Sequence, residues 1–106
     1  MNFENRVDQT KIKKEIKDKY SEIKHAFRTY AASWGPTVTY GTEGIHSPGS
    51  LHYKGFAIDI RTYNLPGGCQ GSAAKKIVQE LKIKLGYNYD VILETDHIHI
   101  EYDPKK

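Results

Sequence analysis

Apolar residues recur at spacings of three and four along two stretches of the chain, which is the pattern of an amphipathic helix. The first stretch runs from about Val7 to Tyr30 and is followed by the breaker cluster Ser33-Trp34-Gly35-Pro36. Its apolar stripe consists of Ile12, Ile16, Tyr20, Ile23, Phe27 and Tyr30. The sequence therefore predicts one long helix in the N-terminal part of the chain.

The second helical stretch follows a glycine-rich turn region from Leu65 to Gly71. Ser72 is the candidate N-cap of this helix, and Gly86 is a natural C-terminal stop. The apolar stripe between them consists of Ala74, Ile77, Val78, Leu81 and Leu85. We therefore predict a helix from Ser72 to about Leu85.

Four shorter segments have the β-branched, aromatic or alternating character of strands. They are Thr37–Tyr40, Phe56–Arg61, Tyr89–Leu93 and His97–Tyr102. A glycine-rich loop (41–50) separates the first two, and a short turn near Thr95-Asp96 joins the last two. The predicted fold class is α+β, with two helices packed on a small, mostly antiparallel sheet.

Two segments of the chain concentrate side chains that bind metals. Asp59 lies in the middle of its strand, on the face opposite the apolar residues, and His52 lies seven residues earlier, beyond a glycine. His97 and His99 share one face of the last strand. Imidazole and carboxylate groups together suit zinc, and a catalytic zinc uses three protein ligands and one water. A sheet that pairs these strands would place two histidines and an aspartate around one zinc site.

Each feature also has a simpler interpretation. A lone His-x-His pair on a strand is more often a surface or hydrogen-bonded pair than a metal site. A lone aspartate in a strand usually pairs with a neighbour, here Arg61. Cys69, in the glycine-rich turn, can be imagined as a nucleophile paired with a histidine, but nothing near it in the sequence supports that role.

Length and composition narrow the class of protein. The 106 residues allow a single domain, 1–106, and the formal charge of +3 is a mild bias. Cys69 is the only cysteine, which excludes an intramolecular disulfide and suits a reducing compartment. Residues 1–6 lack the apolar run of a signal peptide, and no stretch reaches membrane-spanning length. We expect a monomer that is made in the cytoplasm without a signal peptide and binds no membrane.

The lysines of the first helix raise the alternative of a nucleic-acid-binding protein. They alternate with acidic residues, which is typical of a solvated face. Because acidic residues are nearly as numerous as basic ones, a strong phosphate-binding surface is not expected. We predict no nucleic-acid partner.

The two metal-capable segments together resemble a known family. Ser50-x-His52-x-x-Gly55-x-Ala57-x-Asp59 matches the Ser-x-His-x-x-Gly-x-Ala-x-Asp pattern of the D-alanyl-D-alanine metallopeptidases, relatives of lysostaphin-type enzymes and of the hedgehog zinc domain. The family's second motif, an acid three residues before the last histidine ligand, is similar to Asp96-His97-Ile98-His99. The likeness spans roughly 40–102. The His-Pro-Gly-Ser-like approach at 46–50 and the closing His-Ile-Glu-Tyr run at 99–102 also resemble small phage-encoded peptidases.

This resemblance implies roles for individual residues. The zinc ligands would be His52, Asp59 and His99. Asp96 occupies the position of the general base, although Glu94 competes because members with a His-x-His pair can carry the acid farther upstream.

Three further residues have roles that depend on their positions beside these ligands. His97 would stabilise the oxyanion of the tetrahedral intermediate. Alternatively, it would be a fourth zinc ligand or would contact the zinc ligands without binding the ion. Ser50 and Arg61 are candidates to bind a substrate carboxylate, since arginine binds carboxylates in a bidentate manner. Arg61 can equally serve to orient or neutralise Asp59.

The expected function is a zinc metallopeptidase that cleaves a peptide bond of bacterial peptidoglycan beside a D-amino acid, as a carboxypeptidase or an endolysin-like endopeptidase. The alternative is a non-catalytic, hedgehog-like zinc-binding module. Acids at both Glu94 and Asp96 favour catalysis, because a binding module needs no base. Without a signal peptide, a phage product that acts on the cell wall after release is the expected context.

Overall fold

The computed structural model of the chain describes residues 1–32 and 34–104. Its regular elements are β1 (Asn2–Phe3), α1 (Lys14–Lys17), α2 (Tyr20–Ala31), β2 (Thr37–Tyr40), β3 (Ala57–Arg61), α3 (Ser72–Leu85), β4 (Tyr89–Leu93) and β5 (His97–Tyr102). Single 3₁₀ turns cover Gln9–Lys11, Leu51–Lys54 and Gly68–Gln70. Ser33 of the predicted breaker cluster, and Lys105 and Lys106 of the predicted domain, lie outside the described residues.

The strands form one sheet in the order β1-β2-β3-β5-β4. β1 runs parallel to β2, and every other neighbouring pair is antiparallel. The helices α2 and α3 pack together against this sheet. The predicted α+β class, with two long helices on a mostly antiparallel sheet, is therefore confirmed.

The prediction of one helix from Val7 to Tyr30 is wrong in its first half. The side chain of Asp8 accepts a hydrogen bond from the backbone N–H of Thr10 and caps a 3₁₀ turn, after which Ile12 and Lys13 are extended. The N–H of Lys13 then donates to the carbonyl of Gly55, at 2.9 Å, instead of to a helical carbonyl. A tertiary hydrogen bond thus replaces a helical one, while the aliphatic residues and Phe27 of the apolar stripe are still buried in the core and its two tyrosines pack against it.

The predicted capping role of Ser72 is also wrong. Ser72 is the first residue of α3, and Gly71, with extended backbone, occupies the N-cap position without a side-chain hydrogen bond. The predicted C-terminal stop at Gly86 is confirmed, since Gly86 follows α3 with a φ of 90°. That positive φ favours glycine and ends the helix.

The two faces of the sheet have different environments. Ile58, Ile60, Ile98 and Ile100 are fully buried on the face covered by the helices. Side chains alternate along a strand, so Asp59 and the histidines of β5 lie on the other face. The register pairs Asp59 with His99 directly across β3 and β5. The helices therefore cover the apolar face and leave the metal-capable face to the loops.

A β-bulge in β2 shapes the same open face. Val38 pairs with Ile60, whereas Tyr40, two residues later, pairs with Asp59. Two residues of β2 thus oppose one of β3, which reverses the alternation. Val38 is in the core while Tyr40 lies beside Asp59 on the open face.

No helix in the described part of the chain is long and apolar enough to cross a membrane.

Candidate metal centre

His52 is carried over the sheet by the 3₁₀ turn that precedes β3. The turn begins where Ser50 Oγ accepts a hydrogen bond from the N–H of His52, and it ends at Gly55, which has a φ of 81°. A Cβ at position 55 would collide with the backbone carbonyl of Lys11. Only glycine combines this left-handed conformation with such close packing. The tight reversal brings the buried ring of His52 over Asp59.

Three side-chain atoms converge on one point of the open face. His52 Nε2 lies 3.1 Å from Asp59 Oδ1 and 3.2 Å from His99 Nδ1. The third side of this triangle, from His99 Nδ1 to Asp59 Oδ1, measures 3.0 Å. His52 and Asp59 are almost fully buried. The structure therefore brings together the three residues that the sequence predicted as ligands.

The outer ring nitrogen of each imidazole lies against an oxygen acceptor outside this triangle. Nδ1 of His52 is 2.8 Å from the carbonyl oxygen of Gly41, and Nε2 of His99 is 2.7 Å from Oε1 of Glu101. Carbonyl and carboxylate oxygens accept hydrogen bonds, so both of these ring nitrogens donate. In the neutral rings the inner nitrogens then present lone pairs, as metal-binding histidines do when an outer partner fixes the tautomer.

The arrangement of these three side chains favours a positive charge at the centre of the triangle. Burial raises the pKa of Asp59, but the hydrogen bonds with His52 and His99 outweigh this effect, so the pKa lies below its ordinary value of 3.8. Burial lowers the pKa of His99, but hydrogen bonds to Asp59 and Glu101 outweigh this effect and raise the pKa to about 9. Two lone-pair nitrogens and a carboxylate at about 3 Å repel one another unless a proton or a metal cation lies among them.

His46, in the loop after β2, adjoins this cluster. One ligand atom each of His46, His52 and Asp59 lies within 4.8 Å of the others, so these three residues also form a group that can hold a metal ion. Nε2 of His46 is 2.6 Å from the carbonyl oxygen of Glu43. The hydroxyl of Tyr53 accepts from the backbone N–H of His46, at 2.6 Å, and donates to its carbonyl, at 2.9 Å.

The ring of His46 stacks on the ring of His52. The centroids are 3.8 Å apart and the planes differ by 8°. Nitrogen lone pairs lie in the plane of the ring, so two stacked rings direct them in parallel planes. The rings of His52 and His99, in contrast, are inclined by 60°. Shared coordination of one ion is therefore easier for His52 with His99 than for His52 with His46.

His97 lies just outside the triangle. Its Nδ1 donates to Oδ1 of Asp96 at 2.7 Å, which leaves Nε2 3.6 Å from Asp59 Oδ1. The Asp96 side chain is 76% exposed, so its carboxylate faces solvent as well as His97. The pair therefore places an imidazole between the acid of the second motif and the metal-capable cluster.

An open cleft of about 620 Å³ contains the whole cluster. It is lined by every predicted site residue: Ser50, His52, Asp59, Arg61, Glu94, Asp96, His97 and His99. The simpler interpretation, in which Asp59 pairs with Arg61, does not describe this site, because Asp59 contacts histidines and Arg61 contacts Glu4 at 3.5 Å. Both candidate bases and both candidate substrate-binding residues thus share one cavity with the metal-capable residues.

The roles of two contributors were not predicted from the sequence. Glu101 holds the outer nitrogen of His99, and His46 stacks on His52. The period of two along the last strand carries a signal for Glu101, because it places this acid on the same face as His99. His46 has no such signal, since its place on the ring of His52 depends on the path of a loop.

A search with protein-family models gives no match to the chain, and a search of curated proteins finds none that is significantly similar. What the geometry establishes is a buried group of histidine and aspartate side chains that can bind a metal ion.

Proposed function

We propose that this chain is a zinc-dependent peptidase that hydrolyses a peptide bond of bacterial cell-wall peptidoglycan next to a D-amino acid. The observation that carries the proposal is the triangle of His52 Nε2, Asp59 Oδ1 and His99 Nδ1 in the wall of an open cleft. Three protein ligands are typical of catalytic zinc, whereas structural zinc sites usually have four.

The dimensions of the triangle support zinc. Ligand atoms around a tetrahedral zinc, with bonds of about 2.1 Å, lie about 3.4 Å apart. The three distances here are 3.0, 3.1 and 3.2 Å, so a shift of a few tenths of an ångström would accommodate the ion. Two nitrogen donors and one carboxylate also suit zinc better than magnesium or calcium, which favour oxygen ligands.

The substrate class is supported by the resemblance of the two motifs, 50–59 and 96–99, to the D-alanyl-D-alanine metallopeptidases. An open cleft rather than a closed cavity agrees with a polymeric or peptide substrate. When bound, a zinc ion supplies a Lewis acid and lowers the pKa of water to about 7.

The acid–base work falls to the acidic residues of the cleft. Asp96 is our first choice for the general base because it occupies the acid position of the second motif and lines the cleft with an exposed carboxylate. Glu94 lines the same cleft and is the competing candidate. Either group would take a proton from water during attack and give it to the leaving amine.

Three further side chains would bind the reacting peptide. His97 directs Nε2 towards the cluster while Asp96 holds its Nδ1, so a protonated His97 can donate to the developing oxyanion. Ser50 and Arg61 would bind a substrate carboxylate. The hydroxyl of Ser50 already accepts from the N–H of His52, at 3.2 Å, and retains its own proton for donation.

Digestion of purified wall fragments tests the proposal. The zinc-loaded chain is incubated with fragments from several bacterial chemotypes, and new peptide termini are identified by mass spectrometry. We expect cleavage that chelation stops and zinc restores, and that Asp59→Asn abolishes. A folded, zinc-loaded preparation that cleaves none of the fragments would contradict the proposal and favour the non-catalytic zinc-binding module.

A further inference from the structure

Glu4, Arg6 and Arg61 form one ion network in the wall of the cleft. Oε1 of Glu4 lies 2.8 Å from Nη2 of Arg6, and Oε2 lies 3.5 Å from Nη1 of Arg61. Two guanidinium groups thus share one carboxylate, and the network carries a net charge of +1. Since 2.8 Å is the distance of a strong charge-assisted hydrogen bond and 3.5 Å is that of a looser ion pair, Glu4 is held more tightly by Arg6 than by Arg61.

Arg6 is itself fixed from a second side. Its Nη1 donates to the hydroxyl of Tyr40 at 2.5 Å, and its guanidinium carbon lies 4.7 Å from the centre of the same ring. Tyr40 is the residue that the bulge in β2 turns towards Asp59. The position of Arg6, and with it that of Glu4, is therefore set by the open face of the sheet.

Arg61 retains unused hydrogen-bonding capacity. Its Nη1 contacts are both long, at 3.5 Å to Glu4 and 3.3 Å to the hydroxyl of Tyr63. Its Nε is buried and has no hydrogen-bond partner among the described residues. A guanidinium has five N–H donors in a planar fork that matches a carboxylate. Because the Arg61 side chain is only 29% exposed, water screens its charge less than that of a surface arginine.

We propose that Glu4 is a built-in counter-ion that sets the affinity of Arg61 for a carboxylate of the substrate, and that Arg6 is a positioning residue that keeps Glu4 from pairing closely with Arg61. The proposal rests on the proposed function in taking the ligand to be a peptide carboxylate. The ligand class is an acyl amino acid or peptide with a free carboxylate in the cleft beside the metal-capable cluster.

The two neighbours of Arg61 should have opposite effects. Glu4→Gln removes the competing negative charge and should tighten binding of a carboxylate. Arg6→Ala releases Glu4 to pair with Arg61 and should weaken it. The double variant should bind the carboxylate like Glu4→Gln alone, because Arg6 acts only through the charge of Glu4 and that charge is gone. A network that only braces the N-terminal segment predicts instead that both single variants act in the same direction.

Titration with N-acetyl-D-alanine and its C-terminal amide tests this. The zinc-loaded full chain is titrated with each compound, and the arginine Nε–H signals are followed by NMR. We expect the acid to bind more tightly than the amide and to shift the Arg61 signal. Glu4→Gln should raise, and Arg6→Ala lower, the affinity for the acid by roughly two- to fivefold, the range of partly exposed ion pairs. Arg28→Ala, on α2, is the matched control.

A carboxylate also binds metal ions, and Arg61→Gln separates the two sources of affinity. It should leave only the part of the acid preference that the metal supplies, and it should abolish the effects of both neighbouring substitutions. Amide spectra report whether each variant is folded, and Arg6→Gln is the second variant should Arg6→Ala unfold.

Equal binding of acid and amide by the parent chain, or tighter binding by Arg6→Ala, would overturn the inference. The titration involves no turnover. A chain that shows this cycle but cleaves no wall peptide would contradict the proposed function alone. A chain that cleaves wall peptide but binds the acid and the amide equally would contradict only the role of the network.

Discussion

The imidazole of His46 lies flat on the imidazole of His52, with centroids 3.8 Å apart and planes within 8°. If His46 acts by stacking, His46→Phe should keep most of the zinc affinity, whereas His46→Ala should lose roughly two- to tenfold, the value of an aromatic pair. If His46 is a ligand, both variants should lose affinity alike. Competition with a chelator of known affinity measures the difference.

We predict about one zinc per chain in the purified protein, as three protein ligands and one water imply. His52→Ala and His99→Ala should each lose most of the metal, because each removes one corner of the triangle. His25→Ala, an exposed histidine of α2, is the control and should keep it. Metal analysis of dialysed protein that finds full occupancy in His52→Ala or His99→Ala would refute the ligand assignment.

The two candidate bases can be separated without disturbing the ligands. Asp96→Asn should lower turnover of wall peptides by roughly 10² to 10⁴-fold while zinc stays bound. We expect a smaller effect of Glu94→Gln. If Glu94→Gln alone abolishes hydrolysis, Glu94 is the base, and the contact of Asp96 with His97 serves to orient that ring. Turnover is normalised to zinc content in each variant.

The stability of the chelator-stripped protein should fall as the pH rises from about 6.5 to about 9. The folded pKa of His99 is raised from 6.5 to about 9, so its contribution is complete below 6.5 and is lost as the pH rises through 9. The lowered pKa of Asp59 contributes above 3.8 and is lost only in stronger acid.

Zinc binding instead requires deprotonated ligands and strengthens with pH. The difference in Tm between loaded and stripped protein should therefore widen from pH 6.5 to 9. A constant or narrowing difference would argue against a metal that replaces the proton of His99.

Gly55 and Gly49 have similar φ values of 81° and 79°, but only Gly55 packs against another backbone. Gly49→Ala should cost about 1 kcal/mol of unfolding free energy, the strain of a left-handed residue. Gly55→Ala should cost clearly more, roughly 2 kcal/mol or above, because its Cβ also meets the carbonyl of Lys11. Urea denaturation measures both. Equal losses would show that the contact with Lys11 relaxes freely.

Local patterns in the sequence determined the elements that position the ligands. Strict alternation placed Asp59 opposite the apolar residues of β3, and the same period put His97 and His99 on one face of β5. The periodicity of 72–85 predicted α3, and Gly86 its end. These features could be read from the chain because each depends on a repeat of two or 3.6 residues and on neighbours in sequence.

Contacts between distant parts of the chain decided the rest. The N-terminal helix is interrupted because Lys13 bonds to Gly55, and the bulge in β2 turns Tyr40 towards Asp59. The stacking of His46 on His52 depends on the path of a loop, and the hydrogen bond from Arg6 to Tyr40 joins the N-terminal segment to the sheet. Hydrogen bonds and ring contacts of this kind have no sequence period. The sequence by itself therefore determined which side chains can bind a metal, and only the tertiary structure decided which other groups orient, stack on and neutralise them.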